Sequence, residues 1–405
     1  MKFLILGGGI SGLSAAWFLR KKYPDAKITL LEKESRLGGW IRTERGAYFF
    51  EKGPRTFQAS RCPALLQLIR DTGLEDELIF SDPSANRRYL LCKGKLRSVG
   101  SMIPRIIPSL LLEPFIPKGS GEDESIYDFA ARRFSPRAAE TLFDPLTLGI
   151  YGGDIRKLSI RSCFPILFKW EQENGSVLKG MFSSRGKKKK KPRGLFSLQN
   201  GMESLIAALE RQSSVEVIYN CEAEAIRPDG IWAGRRVWSA DRIYSALPAH
   251  AAGKLLGEEF TVGSMWEANL VFEGDVLLKK GFGYLVPTCE KEPLLGMIFD
   301  SSVFPQQSSK GETRLTALLR SETPDPEKAT LLAAKNHLGI QREPLKTSLF
   351  YAKKSIPQFE VGYHEKISRF EERAKHKFPF LSLLGNYIDG ASVEACIQRS
   401  FKIII

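Results

Sequence analysis

The first forty residues contain a glycine-rich turn between an apolar run and an expected helix. Gly7, Gly9 and Gly12 follow the run that ends at Leu6, and Glu32 closes a second apolar run 20 residues after Gly12. In dinucleotide-binding βαβ units such glycines allow a tight turn and close approach to a pyrophosphate, and the acid bonds the ribose. The helix N-terminus then faces the phosphate charge. The predicted nucleotide contacts are Gly7, Gly9, Ile10, Ser11, Gly12 and Glu32.

The stretch after Glu32 indicates whether the predicted cofactor is a nicotinamide dinucleotide or a flavin. Residues 36–43 resemble the Arg-x-Gly-Gly-x-x-x-Thr segment that many large flavoproteins carry directly after the ribose-binding acid. Adjacent glycines let the backbone lie against the dinucleotide, while Arg36 and Arg42 supply positive charge to its phosphates. Either arginine could instead be a solvated surface charge. The predicted contacts here are Lys33, Arg36, Gly38, Gly39 and Trp40.

Five further blocks, in order along the chain, resemble the family of oxygen-dependent protoporphyrinogen oxidases, within the amine-oxidase-like FAD flavoproteins. They are residues 49–57, 158–165, 175–180, 355–364 and 385–397. The resemblance implies FAD as cofactor and oxidation of protoporphyrinogen IX to protoporphyrin IX in heme (porphyrin) biosynthesis, with O2 as acceptor and H2O2 as product. The further cofactor contacts that it implies are Gly53, Pro54, Arg55, Thr56, Ala223, Ala246, Gly385, Gly390, Ser392 and Val393.

The expected fold combines α/β and α+β architecture. A Rossmann-like FAD-binding domain is predicted from the discontinuous segments 1–85, 195–262 and 361–405. Residues 86–194 are expected to form a helical insertion that contacts substrate or membrane, and 263–360 a substrate-binding domain with a mixed sheet and helices. At 405 residues the chain is long enough for such a division.

A flat, apolar tetrapyrrole with carboxylate side chains requires apolar walls and arginines for the propionates. Arg55, Arg97 and Arg105 are the predicted propionate partners, with Arg97 and Arg105 as competing choices, and Phe359 is a predicted wall residue. Core packing is the alternative for Phe359 and for the other wall candidates Phe350, Leu285 and Leu295. Hydride transfer to a flavin needs no nucleophile, so no catalytic residue is assigned. His364 is expected to pack or hydrogen-bond rather than act as a base.

Much of the net charge of +14 is concentrated in the basic stretch 185–193, which contains the lysine block Lys187–Lys191. This block is interpreted as a solvated loop, with an electrostatic anchor to anionic lipid as the alternative, and no nucleic-acid partner is expected. The apolar stretch 102–117 is interrupted by prolines and charges, so it cannot span a bilayer, but one face could rest in the interface or pack in the core.

The six cysteines are scattered and lack metal-like spacing, so we expect reduced thiols and no metal site. Reduced thiols predict a cytoplasmic location. Peripheral attachment to the inner face of the cell membrane is a further option. A homodimer is a further expectation. Two other functions stay open. The first is a related enzyme that oxidises coproporphyrinogen III, which carries two propionates where protoporphyrinogen IX carries two vinyls. The second is a non-catalytic, FAD-bound membrane scaffold, which would bind flavin without turnover.

Overall fold

The computed structural model describes residues 1–184, 194–309 and 311–405, apart from the side chains at positions 103 and 105. The chain divides into two compact units. The first unit comprises Met1–Phe80, Arg193–Val262 and Glu365–Ile405, and the second comprises Ser81–Pro192 and Gly263–His364. Both units are therefore assembled from segments that are distant in sequence. The predicted block Lys187–Lys191 lies outside the described residues.

The strands, in chain order, are β1 (Lys2–Leu6), β2 (Lys27–Leu31), β3 (Arg42–Arg45), β4 (Phe49–Lys52), β5 (Phe57–Gln58), β6 (Leu78–Phe80), β7 (Arg88–Cys92), β8 (Lys95–Ser98), β9 (Leu195–Leu198), β10 (Glu216–Ile218), β11 (Ala223–Arg227), β12 (Gly230–Ala233), β13 (Arg236–Trp238), β14 (Arg242–Ser245), β15 (Val262–Glu273), β16 (Gly283–Leu285), β17 (Leu294–Ile298), β18 (Glu312–Arg320), β19 (Lys346–Pro357) and β20 (Leu381–Leu383). The helices are α1 (Ile10–Lys22), α2 (Pro63–Asp71), α3 (Ile107–Leu112), α4 (Ile126–Arg133), α5 (Pro136–Ala138), α6 (Asp144–Tyr151), α7 (Ile160–Cys163), α8 (Pro165–Asn174), α9 (Val177–Ser183), α10 (Glu203–Ser213), α11 (Ala249–Leu256), α12 (Asp300–Val303), α13 (Pro326–Leu338), α14 (Tyr363–Lys377) and α15 (Val393–Ile404).

A parallel sheet of five strands, in the order β10-β2-β1-β14-β20, forms the centre of the first unit. Strands β1 and β2 are buried along almost their whole length, as expected for a parallel sheet that is covered on both faces. Residues of α1, α10 and α15 share one apolar core with this sheet. The expected α/β class, with a nucleotide-binding type of sheet, is confirmed.

A mixed sheet in the order β19-β15-β18-β17-β16-β7-β8 forms the second unit. Strand β16 pairs in parallel with β7, whereas β15, β17 and β18 pair antiparallel. Alternate residues of β15 and β18, such as Leu270 and Leu315, enter a core that α13 covers with Ala333 and Ala334. The expected mixed sheet with helices is confirmed.

The apolar stretch 102–117 does not form one long helix. It forms a 3-10 segment that ends at Arg105, the short helix α3, and a 3-10 turn over Glu113–Phe115. Pro104 lies within the first of these segments, and Pro108 and Pro114 lie at the starts of the next two. Proline lacks the amide needed to continue a preceding helix, so the stretch is divided at these points. Within residues 1–184, 194–309 and 311–405, no helix has the length and apolar character to cross a bilayer.

Candidate cofactor site

The turn between β1 and α1 depends on its glycines. Gly7 has φ of +94°, and a Cβ at Gly12 would lie 2.0 Å from the carbonyl oxygen of Gly7. Any side chain at position 12 would therefore push the helix away from the strand. At Gly9 the opposite holds, since no atom of the described residues would lie within 4 Å of an added Cβ. The turn thus combines tight packing at Gly12 with open space at Gly9.

Helix α1 begins at Ile10, after the N-cap residue Gly9, without a capping side chain among the described residues, and its first turn holds no acidic residue. The amides at a helix start have no partners within the helix, and the helix dipole is positive there. Ile10 and Ser11, both buried, belong to this first turn. Burial raises the pKa of the nearby Cys396 thiol of α15 to about 11, although the Ser11 side chain acts in the opposite direction. The arrangement suits an anion.

Glu32 lies at the carboxyl end of β2 and is 8% exposed. Its Oε2 accepts the amide of Gly8 at 2.7 Å, and its Oε1 accepts the amide of Glu34 at 2.9 Å. These bonds fix the carboxylate beside the glycine turn while leaving lone pairs on both oxygens for hydroxyl donors. Lys33, the next residue, is exposed and lies 4.0 Å from the carboxylate of Glu34.

The loop after β2 lies directly on the glycine turn. The amide of Gly38 donates to the carbonyl of Gly8 at 2.8 Å, and Gly9 and Gly38 form a parallel bridge. A Cβ at Gly39 would lie 3.3 Å from the Cα of Gly9. Half-buried Trp40 follows. The Arg36 guanidinium donates to backbone carbonyls of the same loop, at Gly39 (3.0 Å) and Ile41 (2.6 Å).

The Gly-Pro-Arg segment approaches this loop through its backbone. Gly53 has φ of +102°, and a Cβ there would lie 2.1 Å from the carbonyl oxygen of Trp40, so a side chain is excluded. Pro54 and Thr56 are half-buried. The Arg55 side chain is buried, with 7% of the residue exposed, and its Nε donates to the carbonyl of Gly53 at 3.3 Å.

The remaining predicted cofactor residues lie at ends of strands and at the start of α15. Ala246 follows β14 and donates to the carbonyl of Leu6 at 2.8 Å. Gly385 and Gly390 have φ of +125° and +131°. Ser392 caps α15 by accepting the Ala395 amide at 3.1 Å, and Val393 is buried in the core. Ala223 begins β11, where it pairs with Ala233. All the predicted cofactor residues therefore fall in the first unit.

The structure also reveals a carboxylate network that the sequence motifs do not predict. Glu51 accepts the Thr43 hydroxyl (2.9 Å) and the Met202 amide (2.7 Å), while Glu203 accepts the Thr43 amide (3.2 Å) and lies 3.4 Å from Arg36. The two acids thereby connect the loop to the start of α10. Glu51 lies in the block 49–57, but neither that block nor the position of Glu203 signals the partners of these acids.

The predicted substrate residues are more dispersed. Arg97 is exposed on β8, opposite Leu90, whereas the Arg105 side chain lies outside the described part of the chain. Phe359 is 2% exposed and packs edge-on against Tyr151 and Tyr363, with ring centroids 5.9 Å and 4.8 Å away.

The wall candidates of the second unit also have packing partners. A Cβ on Gly149 of α6 would lie 2.5 Å from Leu285, and Leu295 is 3% exposed. Phe350 is half-buried. These placements suit core packing, and contact with a substrate stays a prediction for each residue.

The chain belongs to the flavin containing amine oxidoreductase family, whose sequence profile matches residues 10–334. It is an FAD-dependent oxidoreductase. Among its relatives, it is similar to the protoporphyrinogen oxidase of Bos taurus, with 32% identity over 98% of this chain and 96% of that protein. It is also similar to the coproporphyrinogen III oxidase of Bacillus subtilis (strain 168), with 26% identity over 98% of this chain and 95% of that protein. A solved structure from Exiguobacterium sp. 255-15 has the same fold, with a TM-score of 0.85, 24% identity, and coverage of 100% of this chain and 97% of that one.

The residues of the first unit fit the nucleotide part of FAD. The uncapped start of α1 and the open space at Gly9 suit a pyrophosphate, and the fixed carboxylate of Glu32 suits ribose hydroxyls. When bound, FAD supplies a two-electron acceptor, and the protein supplies position, electrostatics and exclusion of water.

Proposed function

We propose that this protein oxidises protoporphyrinogen IX to protoporphyrin IX in heme biosynthesis, with O2 as the final acceptor and H2O2 as product. The observation that carries the proposal is the similarity over 98% of the chain to a protoporphyrinogen oxidase, a span that includes both units. The blocks at 158–165 and 385–397 support the porphyrinogen branch over amine substrates.

In this proposal the first unit holds FAD. Gly7, Gly9, Gly12 and the amides of Ile10 and Ser11 receive the pyrophosphate, while Glu32 receives the ribose. Arg55, Arg97 and Arg105 are the proposed propionate partners, because a guanidinium binds a carboxylate through two parallel hydrogen bonds. No nucleophile is needed, since the substrate carbon loses its hydride directly.

The test is aerobic incubation of the purified, FAD-loaded protein with protoporphyrinogen IX. Porphyrin fluorescence and H2O2 should both appear above the spontaneous rate, and the FAD-free protein is the matched control. Loaded protein that binds flavin but produces neither signal would instead support the non-catalytic scaffold.

Coproporphyrinogen III is the second candidate substrate, and the similarity to the Bacillus subtilis coproporphyrinogen III oxidase favours it. The two substrates differ by two propionates against two vinyls, so the charged partners of the propionates would decide between them. Comparison of kcat/KM on both porphyrinogens separates the two assignments. A higher value on coproporphyrinogen would replace the leading proposal.

We also propose peripheral contact with a membrane through the segment around α3. Leu111, Leu112 and Phe115 are 68%, 62% and 84% exposed, an unusual exposure for adjacent large apolar residues. Glu113, the one acid among them, points inward and is fully buried. The outward face is therefore apolar, as required to lie among lipid headgroups.

Sedimentation with vesicles tests this contact. Replacing Leu111 and Phe115 by serine should reduce binding, whereas replacing Leu278, which is 90% exposed elsewhere in the second unit, should not. Added phosphatidylserine should strengthen binding if Lys187–Lys191 acts as the anchor, and changing those lysines to glutamine should remove that gain. Equal binding by all variants would contradict the proposal. We also propose a cytoplasmic location and a homodimeric state. Sedimentation equilibrium of the purified protein measures the oligomeric state.

A further inference from the structure

The Arg36 side chain is engaged by its own loop. Nη1 donates to the carbonyl of Gly39 at 3.0 Å, and Nη2 donates to the carbonyl of Ile41 at 2.6 Å. A Cβ at Gly38 would lie 3.0 Å from Nη2, so the guanidinium also packs against that glycine. The planar fork of arginine can span two carbonyls at fixed separation, which an ammonium group cannot do.

Glu203 also bonds the guanidinium of Arg36. Its Oε1 lies 3.4 Å from Nη2 of Arg36, and its Oε2 accepts the backbone amide of Thr43 at 3.2 Å. Nη2 has two N–H groups and two acceptors in the protein, the carbonyl of Ile41 and the carboxylate of Glu203. Glu203 is also the first residue of α10, where a negative charge is favourable.

The hydroxyl of Thr43 and the carboxylate of Glu51 complete the connection. The Glu203 amide donates to the Thr43 hydroxyl at 3.2 Å, and that hydroxyl donates to Glu51, which also accepts the Met202 amide. A Cβ at Gly201 would lie 2.4 Å from both the Thr43 hydroxyl and Glu51, so the segments meet without room for a side chain. The loop is thus attached to α10 at several points.

The attached loop borders the open space at Gly9. Gly38 bonds Gly8, and Gly39 lies against Gly9, so a shift of the loop would change the border of that space directly. We propose that Arg36 is a positioning residue of the FAD site: held by Glu203, it fixes the Gly38–Gly39 backbone against Gly9 and does not neutralise the pyrophosphate. The proposal rests on FAD binding by the first unit and is independent of the substrate.

Three variants separate positioning from phosphate pairing. If Arg36 positions the loop, Arg36→Gln and Arg36→Lys should both weaken FAD binding by the apoprotein, and Glu203→Gln should weaken it too. We expect each dissociation constant to rise about tenfold, the effect of losing roughly one charge-assisted hydrogen bond. Glu210→Gln and Arg211→Gln, on the same helix, are the matched controls and should bind FAD as the unaltered protein does.

Phosphate pairing predicts the reverse pattern. Arg36→Lys, which keeps the charge, would bind FAD like the unaltered protein, and Glu203→Gln would bind it more tightly because the guanidinium is released. Either result overturns the proposal. Binding is measured by flavin fluorescence quenching without porphyrinogen, so a wrong substrate assignment would leave this result unaffected.

A second measurement uses the apoprotein alone. Hydrogen exchange of the amides in residues 36–43 should be faster in Arg36→Gln and Glu203→Gln than in the Glu210→Gln control, before any FAD is added. Unchanged exchange in this loop, with the rest of the first unit intact, would also overturn the proposal.

Discussion

Arg133 and Glu113 form an ion pair in which neither side chain is exposed to solvent. Nε of Arg133 donates to Oε1 of Glu113 at 2.8 Å, and the same carboxylate accepts the Ser176 hydroxyl and the amide of Val177. Burial alone would raise the pKa of the Glu113 carboxyl, but the bonds from Ser176, Arg133 and two amides lower it. The pair connects the segment after α3 to α4 and to the start of α9.

Glu113→Gln should destabilise the protein strongly, because the buried Arg133 loses the carboxylate that its Nε and Nη2 bond. Within the described part of the chain, only Glu171, which lies 3.4 Å from Nη1 and is shared with Arg132, then remains as a counter-ion. Breaking one side of a buried pair typically costs about 3–5 kcal/mol. Glu173→Gln is the control, since its partner Lys169 and Glu173 itself are largely exposed and such pairs contribute little. Urea unfolding measures both. Equal midpoints for the two variants would show that the buried pair adds no net stability.

Gly9 and Gly12 should respond differently to the same substitution. Gly12→Ala places a methyl group 2.0 Å from a backbone oxygen and should impair folding of the first unit. Gly9→Ala meets no described atom within 4 Å, so the apoprotein should fold normally. Because the methyl group would fill the space proposed for pyrophosphate, FAD binding should weaken.

Circular dichroism of the apoproteins and FAD titration measure the two effects separately. Normal FAD affinity in folded Gly9→Ala would place the phosphates elsewhere. An unfolded Gly9→Ala apoprotein would contradict the open geometry of the turn.

Local spacing was sufficient to predict the glycine turn between β1 and α1, because Gly7, Gly9, Gly12 and Glu32 lie within one βαβ unit. The role of Arg36 was not accessible in the same way. Its partner Glu203 lies 167 residues along the chain, so the motif indicated a charge without its acceptors. The partner of Glu113 could not be predicted from its local sequence either. In the sequence Glu113 interrupts an apolar run, and only folding brings Arg133 to its carboxylate.

His337 should make stability depend on pH. Its Nδ1 lies 2.9 Å from the Tyr284 hydroxyl in the core of the second unit, and burial lowers the pKa of the imidazole below 6.5, although Glu292 at 3.8 Å and Glu290 act in the opposite direction. The unfolded chain therefore binds the proton more readily. Stability should be complete above about pH 6.5 and fall as the pH drops below it.

Urea unfolding at pH 7.5 and pH 5.5 checks this expectation. His337→Gln should lose less stability between the two pH values than the unaltered protein. His376→Gln, at an exposed position of α14, should keep the full loss. If His337→Gln and His376→Gln lose the same amount, another group is responsible.

Glu394, within the block 385–397, is expected to act on folding rather than on flavin. Its two carboxylate oxygens accept the amides of Ala64 (3.0 Å) and Leu65 (2.8 Å), so it caps the start of α2 from a distant part of the chain. These amides have no partner within their helix, and the negative charge favours the positive end of the helix dipole. Glu394→Ala should therefore lower the free energy of unfolding by about 0.5–2 kcal/mol, the range found for lost helix caps.

Glu394→Gln keeps one acceptor and should lose less stability than Glu394→Ala, with the dissociation constant of FAD unchanged in both. Glu365→Ala, in the first turn of α14, is the control for removing an acid near a helix start. Urea unfolding and FAD titration distinguish the two roles of Glu394. A weaker FAD complex with unaltered stability would show that this carboxylate belongs to the cofactor site instead.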